Sequence, residues 1–339
     1  MNIVDLLEGI KSSQKQDVKL FFVTRAIKPG TTKRTLAKDK YLFNVFQIDC
    51  NEEVRLYLYD ATINQLDRII KKNYEMVDYD ILSDETELLF TYSIQNKVFS
   101  FNDVVTNQLQ KSVPKVTSIA SLTEKEEMWA YCVEFYNSES KEKFFTFRKI
   151  LPSKIGVDEK AKNFFRAIFN TESQQLGLLK EETVSLDEQI DCIYHQDTFY
   201  VIKKVYFEQI VGLQEEFREK AHEIADKMID SGNFVGGDTL KVLIDKKPSI
   251  HKKLIKVEKI GGYKNLSSEM LKTMKTVCKK YGEELPISNG KLSIENEGNI
   301  DTILRAFGDY YKIGEISGKH YGTFAGKELQ TVVKTNIIG

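Results

Sequence analysis

Residues 184–212 read VSLDEQIDCIYHQDTFYVIKKVYFEQIVG, and the hydrophobic period changes within them. The runs IDCIY (Ile190–Tyr194) and TFYVI (Thr198–Ile202) are too short for helices. They are rich in β-branched and aromatic side chains, which suit a pleated, half-buried surface. His195-Gln196-Asp197 parts them with turn chemistry, because an aspartate bonds its own backbone. Beyond Phe207 the positions Phe217, Ala221, Ile224, Ala225 and Met228 recur on one helical face, which predicts a long helix over Phe207–Met228. Glu208 near its start is expected to favour the positive end of the helix dipole. Two strands followed by a helix in one passage argue for an α+β fold.

Working outward toward the N-terminus, Met128–Tyr136 and Lys143–Ile150 form a predicted hairpin across the polar turn NSESKE, and Lys160–Phe169 reads as helical. The polar stretch 111–127 holds Pro114 and sets a predicted domain boundary. Before it, Ile3, Leu6, Leu7 and Ile10 predict a short amphipathic helix, and VKLFFVTRAI (18–27) a strand. A hairpin is expected from Tyr41–Ile48 and Val54–Tyr59, because Val54, Leu56 and Leu58 alternate with more polar residues. A helix carrying Ile63, Leu66, Ile69 and Ile70, a strand over Glu87–Ile94 and a helix over Phe101–Leu109 follow.

Toward the C-terminus, the glycines of SGNFVGGD end the long helix. Helices are expected over Pro248–Ile260 and Ser268–Tyr281, parted by Gly261-Gly262, with Pro248 at a position where a missing N–H costs little. A strand at Lys291–Glu295 and a helix with Ile300, Ile303, Leu304 and Phe307 complete the pattern. The expected fold is α+β, with a β-rich N-terminal part carrying short helices and a mixed α+β part ending in helices. Residues 1–115 are expected as an N-terminal α+β domain and residues 116–339 as a second domain.

Hydrophobic residues make up 41% and charged residues 29%, so the chain can bury a core and is not disordered. No apolar run reaches the roughly 18 residues a membrane-spanning helix needs, and MNIVDLLEGIKSSQ lacks the features of a secretory signal. Cys50, Cys132, Cys192 and Cys278 are widely spaced with no CxxC pair, which argues against a zinc ribbon and fits a reducing compartment. A cytoplasmic location is the expectation.

The net charge is −1, but its distribution is uneven. Residues 241–280 hold twelve lysines and three acids, a local charge of +9. Lys246, Lys247, Lys252, Lys253, Lys256 and Lys259 fall on or beside the Pro248 helix, spaced so that several project from one side while Ile250, Leu254 and Val257 face a core. Lysines of this kind neutralise phosphates without reading bases, giving salt-sensitive, non-specific binding. A solvated helix face explains charge alone equally well, and anionic lipid or an acidic protein would use the same lysines.

A search for catalytic chemistry finds little. Neither HExxH nor HxH occurs among the four histidines (His195, His222, His251 and His320). His195 with Asp197 could pair a general base with an orienting carboxylate, but turn chemistry accounts for both residues. GGDTLK (Gly236–Lys241) and Gly261-Gly262-Tyr263-Lys264 lack phosphate-loop spacing. Asp187, Asp191 and Asp197 could begin the metal site of a nuclease, although acids between short strands are the commoner explanation. No catalytic, metal or cofactor residue is assigned.

From about residue 116 onward, the order of features resembles the family of the B protein of the Kiwa anti-phage defence system. The resemblance is carried by Pro152 in FFTFRKILPSKI, by Asp191, TFYVI and Phe207-Glu208, and by the helix EEFREKAHEIADKM. It continues in the ending IDTILRAFGDYYKIGEISGKHYGTFAGKEL, with Asp309-Tyr310-Tyr311, Gly318, Tyr321, Lys327 and Leu329. Ala325-Gly326 departs from the family's ending, where a small hydroxyl residue precedes the lysine. The resemblance implies a self-associating, cytosolic protein that binds double-stranded DNA beside an integral membrane partner, Kiwa protein A. It implies no catalytic centre. The leading expectation is a non-specific DNA-binding effector of anti-phage defence. The alternatives are a metal-dependent nuclease, or an adaptor that binds acidic protein or anionic lipid. Arg305, Lys319 and Lys327 of the tail stand next to the six lysines as candidate DNA contacts.

Overall fold

The computed structural model describes residues 2–32, 37–81, 83, 88–95, 99–123, 126–151, 155–156, 167–170, 174–178, 182–314 and 317–323. It has two compact units, one formed by Met1–Tyr79 with Glu87–Glu216, the other by Asp80–Thr86 with Phe217–Gly339. The expected α+β class holds.

The first unit opens with helix α1 (Ile3–Lys11), whose N-terminus is closed reciprocally. Asn2 Oδ1 accepts from the amides of Val4 and Asp5, and Asp5 returns a bond to the amide of Asn2. Strands β1 (Lys19–Ile27) and β2 (Tyr41–Ile48) pair antiparallel. Val54–Tyr59, expected as a strand, instead belongs to helix α2 (Glu52–Lys71). Asn51 caps it, accepting from the amide of Val54 at 2.9 Å, and Glu52 and Glu53 lie at the positive end of its dipole. Its buried residues Leu58, Tyr59, Thr62, Leu66 and Ile69 follow the helical period, while Val54 and Leu56 are exposed.

Strands β3 (Glu75–Asp78), β4 (Leu88–Ser93), β5 (Glu127–Asn137), β6 (Glu142–Lys149), β7 (Cys192–His195) and β8 (Thr198–Val201) complete an eight-stranded sheet. Its order is β2-β1-β5-β6-β7-β8-β4-β3, antiparallel except where β3 runs parallel to β4. The sheet draws strands from both sides of position 115/116, so that position is a connection within one unit; the units divide near residue 216. The residues expected as a helix over Phe101–Leu109 include a π-helical turn at Val104–Gln108. Of the predicted Lys160–Phe169 helix, residues 160–166 lie outside the described residues, and Ala167–Asn170 is a strand paired with Gln175–Leu178.

Both faces of the sheet are buried. One carries Leu6, Leu7, Leu66, Tyr131, Val133, Phe135 and Phe144 in a common core. The other is lined with rings: Phe101 lies 5.6 Å from Phe147, and Phe199 5.4 Å from Phe207. The turn between β7 and β8 uses Gln196 and Asp197 at φ 43° and 57°, the left-handed pair that a two-residue hairpin turn favours.

The long helix expected from Phe207 is two helices, α3 (Lys204–Ile210) and α4 (Leu213–Asp230). Gly212 separates them at φ +81°, where a Cβ would also stand 2.9 Å from Ser100 Oγ.

The second unit contains β9 (Phe234–Val235), α5 (Gly237–Lys246), α6 (Pro248–Ile260), α7 (Ser268–Lys280), β10 (Ile287–Ser288), β11 (Lys291–Ser293), α8 (Glu297–Phe307), β12 (Tyr311–Ile313) and β13 (His320–Gly322). Its core joins Ala221, Ile224, Ala225 and Met228 to Leu240, Ile244, Ile250, Leu254, Val257, Ile300, Ile303 and Leu304. Pro248 starts α6 and Gly261, at φ +75°, ends it, both in the roles those residues suit. No helix among the described residues is long and apolar enough to cross a membrane.

Candidate nucleic-acid interface

The acids considered as metal ligands are committed elsewhere. Asp191 is fully buried; its carboxylate accepts from Arg148 at 2.6 Å and from the amide of Lys149 at 2.7 Å. Asp187 takes the other side of the same guanidinium, accepting from Nε at 2.9 Å and Nη2 at 3.0 Å. The Asp191 carbonyl also accepts from the amides of Ile202 and Lys203, so this residue ties β6, β7 and the chain after β8 together. Burial pushes the Asp191 carboxyl up to about 6, opposed by the Lys149 amide and Arg148, so it is still ionised at neutral pH. Arg148 is held above its ordinary value by the two carboxylates despite its burial. Among the described residues no group of three or more His, Cys, Asp or Glu could hold a metal ion.

The His195–Asp197 pair does not form. His195 is buried in β7, stacked on Phe144 with ring centroids 4.2 Å apart, and its Nδ1 faces the Lys143 carbonyl at 3.0 Å. Asp197 instead accepts from Tyr194 Oη at 3.1 Å. Cys132 and Cys192 are buried, which pushes both thiols well up and leaves them unreactive.

A second buried cation lies beside a β-bulge. The register between β1 and β5 shifts at Val23/Thr24, leaving Trp129 unpaired there. Arg25 lies 3.3 Å from the centre of the Trp129 ring system and Lys149 Nζ 3.8 Å from it. Lys149 Nζ donates to the carbonyls of Trp129 and Ile150, and burial lowers this lysine to about 8. Phe207 is fully buried among Tyr79, Tyr92 and Phe199. Glu208, also buried, accepts from Tyr79 Oη at 2.7 Å; it sits mid-way along α3, so this bond rather than the helix dipole holds it.

Charge is exposed in the second unit. Ile250, Leu254 and Val257 of α6 are buried, as their spacing predicts. Lys246, Lys247 and Lys259 are exposed, and Lys252, Lys253 and Lys256 partly so. The six are not equivalent. Lys247 pairs with Glu297 at 3.0 Å, and Lys253 pairs with Asp301, so both join their segment to α8. Among the described residues no acid lies within ion-pair distance of Lys246 or Lys259. Lys256 is lowered from its ordinary value by burial and then by the charge of Lys312.

The model of the family described as Kiwa protein KwaB-like matches residues 125–317, more than half of the chain. The chain belongs to the Kiwa protein KwaB-like family. That assignment points to a component of Kiwa anti-phage defence. Comparison with curated proteins and with solved structures gives no match.

The family match spans Asp191, Phe207-Glu208 and the whole lysine-rich segment. The first two are architectural in this fold. Pro152, Ala325-Gly326, Lys327 and Leu329 lie outside the described residues. Of the tail candidates, Arg305 is engaged with Asp301 and Glu283 and lies over Tyr310, while Lys319 is exposed beside the β13 strand. Lys312 is not among the sequence candidates. It lies more than fifty residues beyond Lys256 in the chain, yet its charge acts on Lys256 in the folded molecule.

Proposed function

We propose that this Kiwa-family chain holds double-stranded DNA without reading its sequence, as a self-associating component that works beside an integral membrane partner, Kiwa protein A. The observation that carries the DNA reading is α6, with Ile250, Leu254 and Val257 sealed into a core and lysines along its other side. A dense row of ammonium groups attracts the evenly spaced phosphates of a duplex and makes no base-specific bond. Lys246 and Lys259, both exposed, lead the phosphate contacts in this reading, and the partly buried Lys252 and Lys256, which also engage other groups, join them. Lys247 and Lys253 contribute less, because each already faces an acid on α8. The membrane partner and the self-association are supported by the family assignment alone.

The test is binding to several duplexes of unrelated sequence at low salt, repeated with magnesium. Similar affinity for all of them, with the DNA left intact, is expected. Folded protein that shifts no duplex would overturn the reading. Magnesium-dependent cleavage would favour a nuclease, and binding to anionic vesicles without binding to DNA would favour an adaptor.

A further inference from the structure

The β12–β13 hairpin gives the lysine surface an aromatic group that duplex binding does not use. Cross-strand partners share a face of a hairpin, and here Tyr311 pairs with Gly322, Lys312 with Tyr321, and Ile313 with His320. One face is anchored. Tyr311 stacks on Tyr281 with centroids 4.6 Å apart, and His320 Nδ1 meets Tyr281 Oη at 2.9 Å. Tyr310, just outside the strand, sets its ring against Gly322, where a Cβ would stand 2.6 Å from it, and lies beneath Arg305 of α8. The opposite face presents Lys312 and Tyr321, and Tyr321 is 50% exposed. The charge of Lys312 acts on Lys256, as does that of Lys259, while Asp309 and Asp80 act on Lys256 in the opposite sense. An exposed tyrosine therefore stands directly across a strand pair from a lysine whose charge reaches Lys256 of α6.

We propose that the Lys312–Tyr321 face of this hairpin is a stacking platform for unpaired bases, so that the lysine surface also engages single-stranded DNA. The chemistry is a match of two parts. Ammonium groups follow the phosphates, and a phenol ring accepts the face of any base, which a duplex keeps buried in its own stack. Anchoring of the other hairpin face holds the ring in place before DNA arrives. The inference rests on the lysine reading above, because Tyr321 alone would not retain a strand.

The experiment compares an oligothymidine strand, an abasic strand of the same length and a duplex, using the full chain and its Tyr321→Ala, Tyr321→Phe and Tyr321→Trp variants. The intact chain should bind oligothymidine more tightly than the abasic strand. Tyr321→Ala should lose roughly tenfold on oligothymidine and keep its duplex affinity, while the two aromatic variants keep both. Unchanged oligothymidine affinity in Tyr321→Ala, with duplex binding intact, would overturn this inference alone. So would an equal loss on duplex and single strand, or equal binding of abasic and oligothymidine strands by the intact chain. Failure to bind any of the DNAs would fell the lysine reading and this one with it.

Discussion

The sheet unit and the helical unit treat charge in opposite ways. In the sheet unit the buried charged groups are matched: Arg148 and Asp191 with each other and with the partly exposed Asp187, and Glu134 with Lys19 at 2.7 Å and Lys143 at 3.3 Å, which reach it from the surface. In the helical unit, lysines outnumber acids along α6 and stay near solvent. The difference teaches how to separate architecture from recognition. A charge taken out of water must find a partner, so its presence in a core says little about ligands. An unbalanced row at the surface keeps its self-repulsion, which an arriving polyanion relieves.

The largest expected effect tests the inward half of that comparison. Arg148→Ala leaves Asp191 buried without its guanidinium and should cost about 3–5 kcal/mol in denaturant unfolding. A loss near that of a surface substitution would show that the pair is dispensable. Phe207→Ala should cost a similar amount, about 3–5 kcal/mol, because the ring is fully buried among three others. A Phe207→Ala chain that unfolds like the original but has lost DNA binding would move Phe207 from architecture to function.

Lys149 sharpens the comparison through pH. Burial lowers it from 10.5 to about 8, with Arg25 opposing its charge and Glu127, Asp191 and Glu215 favouring it. Between those two values the unfolded chain binds more protons than the folded one, so stability rises with pH across the window. Below about pH 8 the full cost of the buried charge remains. Relative to Lys149→Met, the original chain should gain on the order of 2–3 kcal/mol from pH 8 to pH 10. Taking the difference removes the buried tyrosines common to both. A constant difference would mean that Lys149 is solvated or stays fully paired.

How much of this was legible in the sequence depends on the range of each signal. Helix α1, the β5–β6 hairpin, the β7–β8 pair and helices α6–α8 carry their period within themselves, and the lysines of α6 were readable with them. Val54–Tyr59 misled because three alternating residues can mimic a strand at the start of a helix; Asn51-Glu52-Glu53 held the cap signal. Gly212 likewise marked a break that the apolar face on either side concealed. The Arg148–Asp191 pair joins residues 43 apart across strand register, and no local pattern exposes it. The acids of α8 that take up Lys247 and Lys253 are hidden for the same reason, as is Lys312.

That last point changes the forecast for the lysines. From charge alone, removing Lys246, Lys247, Lys252 and Lys253 would leave stability unchanged or slightly raised. The pairing of Lys253 with Asp301 predicts instead that Lys253→Ala costs about 0.2–1 kcal/mol, while Lys246→Ala stays within error. Equal melting of the two variants would show the Asp301 pair to be worth nothing in solution.

The central proposal is that this chain acts through the lysines of α6 and the neighbouring Lys246. The salt dependence of duplex binding tests it most directly, with Lys246, Lys252, Lys256 and Lys259 all changed to Ala and compared with the original chain. Affinity should fall almost uniformly across sequences, and the slope of log affinity against log salt should shrink by about 0.9 for each phosphate that is no longer neutralised. A folded variant with the original affinity and the original slope would contradict the account and place the DNA surface elsewhere on the molecule.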